Sequence, residues 1–347
     1  MSRGGQGEMV RETVAVDLAL QGGGAHGAFT WGVLDRLLEE DWLKIEGISG
    51  TSAGAMNAAA LISGHLSGGV HGARHALELF WRRVSEAGRL SPLQRSPIDV
   101  LLGRWTLDTS PVFIAGDLMS RLYSPYDLNP RDINPLRRIL DEVIDFEKLR
   151  SAPIKLFVTA TSVSTGRARI FRNSDLTTDA LLASACLPTM FQAIEIEDES
   201  YWDGGYSGNP TITPLVRECA SRDTILVQIN PITRMQKPRT ATEIANRLNE
   251  VSFNAVLLKE LRMIALLRQS ANPDETEGAR WAGMRIHRIS SEMMTALSAS
   301  SKLLAEWDFL CMLRDEGRRS ASDFLGLYGS QIGTCSTLDL DSLLEGI

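Results

Sequence analysis

The 347-residue chain predicts an α/β fold of three layers, a mostly parallel central sheet flanked by helices, with a helical carboxyl-terminal extension. Three observations predict it. An apolar strand pattern, Thr13–Leu20, runs straight into a glycine-rich turn and then a helical pattern. A second strand around Ile45–Ser49 repeats the order, turning tightly into a helix of small residues. Buried-strand patterns then recur at Pro153–Val163 and Thr224–Asn230, with helical sequence between, as right-handed crossovers between parallel strands require.

The elements follow in order. After "TVAVDLAL" and the glycines, Phe29, Val33, Leu37 and Leu38 fall at helical spacing with charges between, which reads as an amphipathic helix. From about residue 89 to 134, Pro92, Pro97, Pro111, Pro125 and Pro130 interrupt the pattern, with Trp105, Phe113, Tyr123 and Tyr126 among them. This reads as an insertion of short helices. It is either a packed surface excursion or a cap over a substrate route. Strand patterns resume at Pro153–Val163 and Arg167–Arg172, a helix follows at Thr178–Ala185, and Ala193–Gly205 reads as a strand, a polar turn and a return strand. Ala241–Gln269 forms one long helix with Ile244, Leu248, Val251, Leu257, Leu261 and Ile264 on or near one face. A last strand is expected at Gly283–Ser290, and helix again beyond Ser301. The expected division is a core over 12–232 and a mostly helical region over 233–347 packed on it.

Composition narrows the function. A chain 44% hydrophobic and 23% charged is an ordinary globular protein, and a net charge of −7 argues against a nucleic-acid partner. Cys186, Cys219, Cys311 and Cys335 are scattered without metal-ligand spacing, as expected of reduced thiols in the cytoplasm. "MSRGGQGEMVRE" carries no apolar leader, and no apolar run is long enough to span a bilayer. A lipid substrate would be approached from the water side, at most with peripheral membrane contact.

The chemistry centres on two turns. Gly22, Gly24 and Gly27 fit G-x-G-x-x-G, a dinucleotide spacing, yet three consecutive glycines also bare amides for an oxyanion. Gly50-Thr51-Ser52-Ala53-Gly54 is a G-x-S-x-G between a strand and a small-residue helix, where a nucleophile elbow belongs. Alone that motif is weak, and Ser52 could simply cap the helix. The dinucleotide reading wants an acidic residue ending the second strand, whereas Glu46 precedes the strand's core. The acyl-transfer reading uses both turns at one sheet edge. Ser52 then needs a base. His65, His71 and His75 fall in or beside early helices, and His71 and His75 lack a third metal ligand. His287 follows in the order of α/β-hydrolases and stays a rival. Asp203, ending a strand before Gly204 and Gly205, is the stronger candidate, because a partly desolvated carboxylate can take the serine proton itself. A plain Asp-Gly hairpin turn is the alternative.

"GGGAHG", "GTSAG" and "DGG", in that order, resemble the patatin-like phospholipase family over roughly Val14 to Pro214, with "ASACLPTMF" (Ala183–Phe191) similar to the helix and Pro turn before the aspartate strand. The resemblance implies a Ser–Asp dyad without a catalytic histidine. Ser52 would be the nucleophile, Asp203 the base, and Gly22, Gly23 and Gly24 the oxyanion loop. No metal or organic cofactor is implied. One departure stands out: the family usually carries Arg or Lys where this chain has His26. The expected function is a lipid carboxylic-ester hydrolase of phospholipase A or lysophospholipase type. A storage polyester or thioester cleaved by the same dyad, or a nucleotide-binding regulatory module, are the alternatives. The long helix Ala241–Gln269 reads as core packing, a homodimer contact or a membrane-surface helix.

Overall fold

Strands β1 (Val14–Leu20), β2 (Leu43–Thr51), β3 (Lys155–Ser162), β4 (Ala168–Phe171), β5 (Ile194–Ile196), β6 (Glu199–Asp203), β7 (Asp223–Val227) and β8 (Arg285–Ile289) form one sheet, ordered β5-β6-β3-β2-β1-β7-β8, with β4 also on β3. β3, β2, β1, β7 and β8 run parallel, and β4, β5 and β6 add antiparallel pairs at the β3 end. This computed structural model describes residues 11–235, 237–270 and 277–344. The expectation of no apolar leader falls mostly on residues 1–10, outside the described residues.

Both faces of the sheet are covered, which is why its central strands read as continuous apolar runs. Side chains alternate between the two layers. Val16, Leu18 and Leu20 of β1, Val158 of β3 and Ile225 of β7 join one core, while Ala19, Phe157 and Leu226 join the other. The first core is closed by α1 (Gly27–Leu37), α2 (Ala53–Gly88), α8 (Thr178–Ser184) and α12 (Trp307–Tyr328). The second is closed by α9 (Thr213–Glu218), α10 (Ala241–Ser270) and α11 (Glu277–Ala282). Each fully buried Leu or Ile contributes about 1.5–3 kcal/mol.

Two expectations need correction. The α1 sequence looks amphipathic, yet ten of its eleven residues are buried. The cause is α12, distant in sequence, which packs on its outer face so closely that Gly32 and Gly317 meet the opposing backbone. The charge at Asp35 is accommodated by ion pairs with Arg74 and Arg318. In α10 the apolar stripe divides. Leu257, Leu261 and Ile264 are buried, whereas Ile244, Leu248 and Val251 are exposed, because the helix's first half faces away from the second core.

Residues 89–134 carry short helices, α3 (Pro97–Leu101), α4 (Pro111–Ser120) and α5 (Pro125–Leu128), and α6 (Pro135–Val143) and α7 (Phe146–Arg150) follow. The prolines that break the sequence pattern start helices. Ser96, Ser110, Ser124 and Asn134 each precede a proline at the first turn, where a missing N–H costs nothing. Ser96 and Asn134 accept backbone N–H bonds as caps, each contributing about 1 kcal/mol.

Candidate active site

The register of β3 brings the two candidate residues, Ser52 and Asp203, together. Thr51, the last residue of β2, sits opposite Thr159, and Asp203, the last of β6, sits opposite Ala160 on the same edge. The other edge at those positions carries β4. β2 and β6 therefore meet end to end, and Ser52 turns out of the sheet where β6 arrives.

Ser52 occupies φ 53°, ψ −122°, a conformation most side chains avoid, which marks a sharp strand-to-helix elbow. Its N–H donates to Ser184 Oγ at 2.9 Å, and that hydroxyl donates to the Thr159 carbonyl at 2.6 Å. The helix cap alternative fails here, since the Ser52 side chain caps nothing in α2. The Ser52 hydroxyl is instead one of the groups that pull the Asp203 pKa down.

Asp203 is fully buried. Burial pushes its pKa up to about 7, against the pull of the Gly205 N–H, the Ser52 hydroxyl and the charge of Lys302. Gly205 N donates to Oδ1 at 2.7 Å, and Asp203 N donates to the Cys186 carbonyl at 2.7 Å. The chain after it forms a 3-10 turn, Gly204–Tyr206, and not a two-residue hairpin.

The glycine loop lies against the elbow. A Cβ on Gly22 would come within 2.7 Å of the Thr51 carbonyl and 2.8 Å of Ser52 Cβ. Its own N–H is occupied, donating to Asn209 Oδ1 at 2.6 Å. The amides of Gly23 and Gly24 donate to no protein group among the described residues. Glu46 sits four residues short of the level of the loop and binds the Ala220 and Ser221 amides, so this carboxylate does not stand where a ribose would need one.

Residues 18–216 match the patatin-like phospholipase family. The chain belongs to that family. Its members are lipid acyl hydrolases. No curated protein matches. Among solved structures, the crystal structure of VipD from Legionella pneumophila is similar at 15% identity and a TM-score of 0.41, covering 91% of this chain and 67% of that one.

In this patatin-like protein, residues beyond the matched segment pack against the candidate site. Gly24, at φ +56°, passes so close to the Lys302 carbonyl that a Cβ would overlap it. His26 is buried, and its Nε2 lies 2.7 Å from Ser301 Oγ. That hydroxyl donates to the Ser298 carbonyl, so His26 is the donor. Burial, reinforced by Lys302, holds the His26 pKa well below its usual value, and the ring is neutral. The cation near the loop is thus Lys302. Its Nζ bonds Asn230 Oδ1 at 2.8 Å and Asn249 Oδ1 at 2.9 Å, and burial lowers its pKa to about 8.

Beneath the loop, Gln21 acts as a hub. Its Oε1 accepts from the amides of Ile229 and Asn230, and its Nε2 donates to Asn254 Oδ1 and the Asn209 carbonyl. Sequence reasoning missed Gln21, Asn209, Asn230, Asn254 and Lys302. The available signal was polar residues immediately after apolar strands: Gln21 follows β1, and Asn230 ends "VQIN".

His287 is not near Ser52's hydrogen-bond partners. It sits in β8, with Nε2 3.0 Å from Asp223 Oδ1 and Nδ1 3.1 Å from Thr337 Oγ1. Burial works against the Asp223 charge, but bonds from His287 and Arg285 outweigh it and hold the pKa far down. This network ties the tail to the sheet edge.

Proposed function

We propose that the protein cleaves a lipid carboxylic ester through Ser52 and Asp203. The observation that carries the reading is the end-to-end meeting of β2 and β6, which sets the strained Ser52 elbow beside the buried Asp203 carboxylate. Asp203, with a pKa near 7, suits a general base at neutral pH.

In the first step Asp203 takes the proton of Ser52 Oγ as that oxygen bonds the ester carbonyl carbon. The carbonyl oxygen gains the negative charge, and the Gly23 and Gly24 N–H groups receive it, helped by the amino end of α2. The tetrahedral centre collapses, the C–O bond to the alcohol breaks, and the alcohol leaves with the proton from Asp203. Water then attacks the acyl-serine, gives its proton to Asp203, and the acid departs as Ser52 recovers its proton. The Gly205 N–H, the Ser52 hydroxyl and, least of the three, the Lys302 charge offset part of the burial that raises the Asp203 pKa.

Gly22 serves differently from the sequence-based expectation. With its N–H on Asn209, it contributes close approach, and the donors are its two successors. Turnover of a short-chain p-nitrophenyl ester by the purified chain tests the reading. Wild type is expected to be active, with Ser52→Ala and Asp203→Asn folded and inactive. A fully active Ser52→Ala overturns it.

A further inference from the structure

The insertion leaves an unusual amount of apolar surface in water. α4 has no buried residue, and Phe113 is its main anchor to the core. Ile114, Leu118 and Leu122, at successive i+4 positions, are all more than half exposed, as are Ile98, Leu101 and Ile133. Scattered single apolar residues are normal on a surface, but a contiguous stretch of sequence with this many marks an interaction face.

The same segment is stitched to both walls of the candidate site. On one side the Leu107 N–H donates to Ser300 Oγ at 3.0 Å, in the turn that touches Gly24. On the other, Gln192 Nε2 donates to the Asn129 carbonyl at 2.9 Å and the Ala193 N–H to Tyr126 Oη at 3.3 Å, in the turn leading to β5 and β6. Between residues 96 and 134 there are three arginines, five aspartates and no lysine. Arg121 is paired with Asp117. An anionic membrane would repel this net charge, so a basic-patch mode of attachment is excluded.

We propose that residues 96–134 form a docking face for a net-neutral, zwitterionic lipid surface, delivering ester groups to the mouth between the glycine loop and Asp203. The proposal rests on the acyl-hydrolase reading for its purpose, but the docking itself is measured separately. Apolar insertion into the interfacial zone drives it, with little dependence on salt. A lipid surface fits better than a second copy, because the segment is bonded to the turns beside Gly24 and before β5, and a dimer there would cover them.

The test is sedimentation of the full chain with phosphatidylcholine vesicles, beside vesicles enriched in phosphatidylglycerol, at low and high salt. Wild type is expected to bind phosphatidylcholine at both salts. The Leu118→Asp/Leu122→Asp variant is expected to lose about tenfold or more in partitioning, with unchanged thermal melting and unchanged turnover of a soluble p-nitrophenyl ester. Leu327→Asp, an exposed site on α12, is expected to bind as wild type. Absence of phosphatidylcholine binding, binding to the anionic vesicles alone, or a double variant that dissolves a dimer without changing lipid binding overturns the proposal. Loss of soluble-ester turnover in wild type would instead overturn the hydrolase reading.

Discussion

Thr51 and Asp203 occupy consecutive positions along one edge of β3, opposite Thr159 and Ala160. Two strands that approach from opposite directions share this edge, and Ser52 follows directly where β2 ends. The approach of Ser52 to Asp203 is therefore a property of sheet register. A slip of one residue in β6 would turn Asp203 to the other face.

Ser52→Ala is expected to reduce kcat/KM by at least about a thousandfold while leaving the fold intact. Ser52→Gly is expected to be equally inactive but more stable than Ser52→Ala by about 1–3 kcal/mol, because glycine relieves the backbone at φ 53°. Thermal melts of the two variants check this, and equal stability would refute the strain argument.

The pH behaviour follows from Asp203, whose pKa rises from 3.8 to about 7 on folding. As a base it must be ionised, so kcat/KM is expected to fall as pH drops below about 7. For stability the sign is opposite. Between about pH 4 and 7 the folded protein holds a proton that the unfolded chain has lost, so this group makes stability decline as pH rises through that window. Above pH 7 the penalty is complete, at about 1.4 kcal/mol per unit of displacement. Asp203→Asn is thus expected to be more stable than wild type at pH 8 and to lose that advantage near pH 4, as read by denaturant titration.

Removing the Lys302 charge is expected to move the acid limb of the pH–rate profile upward, since a positive neighbour favours the ionised carboxylate. Lys302→Met should show that shift and Lys302→Arg should largely reverse it. A profile that keeps its midpoint while kcat falls would point to packing instead.

Asn209→Ala leaves the buried Gly22 N–H without its acceptor. The expected cost is about 1–3 kcal/mol in stability, with a drop in kcat larger than any change in KM, because the loop's donors lose their support. Unchanged kcat with lowered stability would separate the two effects.

Much of this was legible in the chain itself. The strand–glycine–helix and strand–serine–helix units were readable because parallel strands buried on both faces leave uninterrupted apolar runs between turns. Ser52 and Asp203 were readable because each ends such a run beside glycine. The fate of Gly22's amide was not, since Asn209 lies 187 positions away and no local pattern announces it. Nor was the burial of α1, which depends on α12 arriving from the far end of the chain. The exposure of Ile244, Leu248 and Val251 in α10 escaped for a related reason: period alone tells which residues share a face, not where the neighbouring body stops.

The close passage of Gly24 beneath the Lys302 carbonyl carries a practical lesson for dissecting the molecule. A fragment trimmed to residues 18–216 would retain both reactive side chains but strip the roof from the amide-bearing turn. It would also shed β7, which pairs with β1, and β8 beyond it, so an inert fragment of that kind would say nothing against the chemistry of the whole.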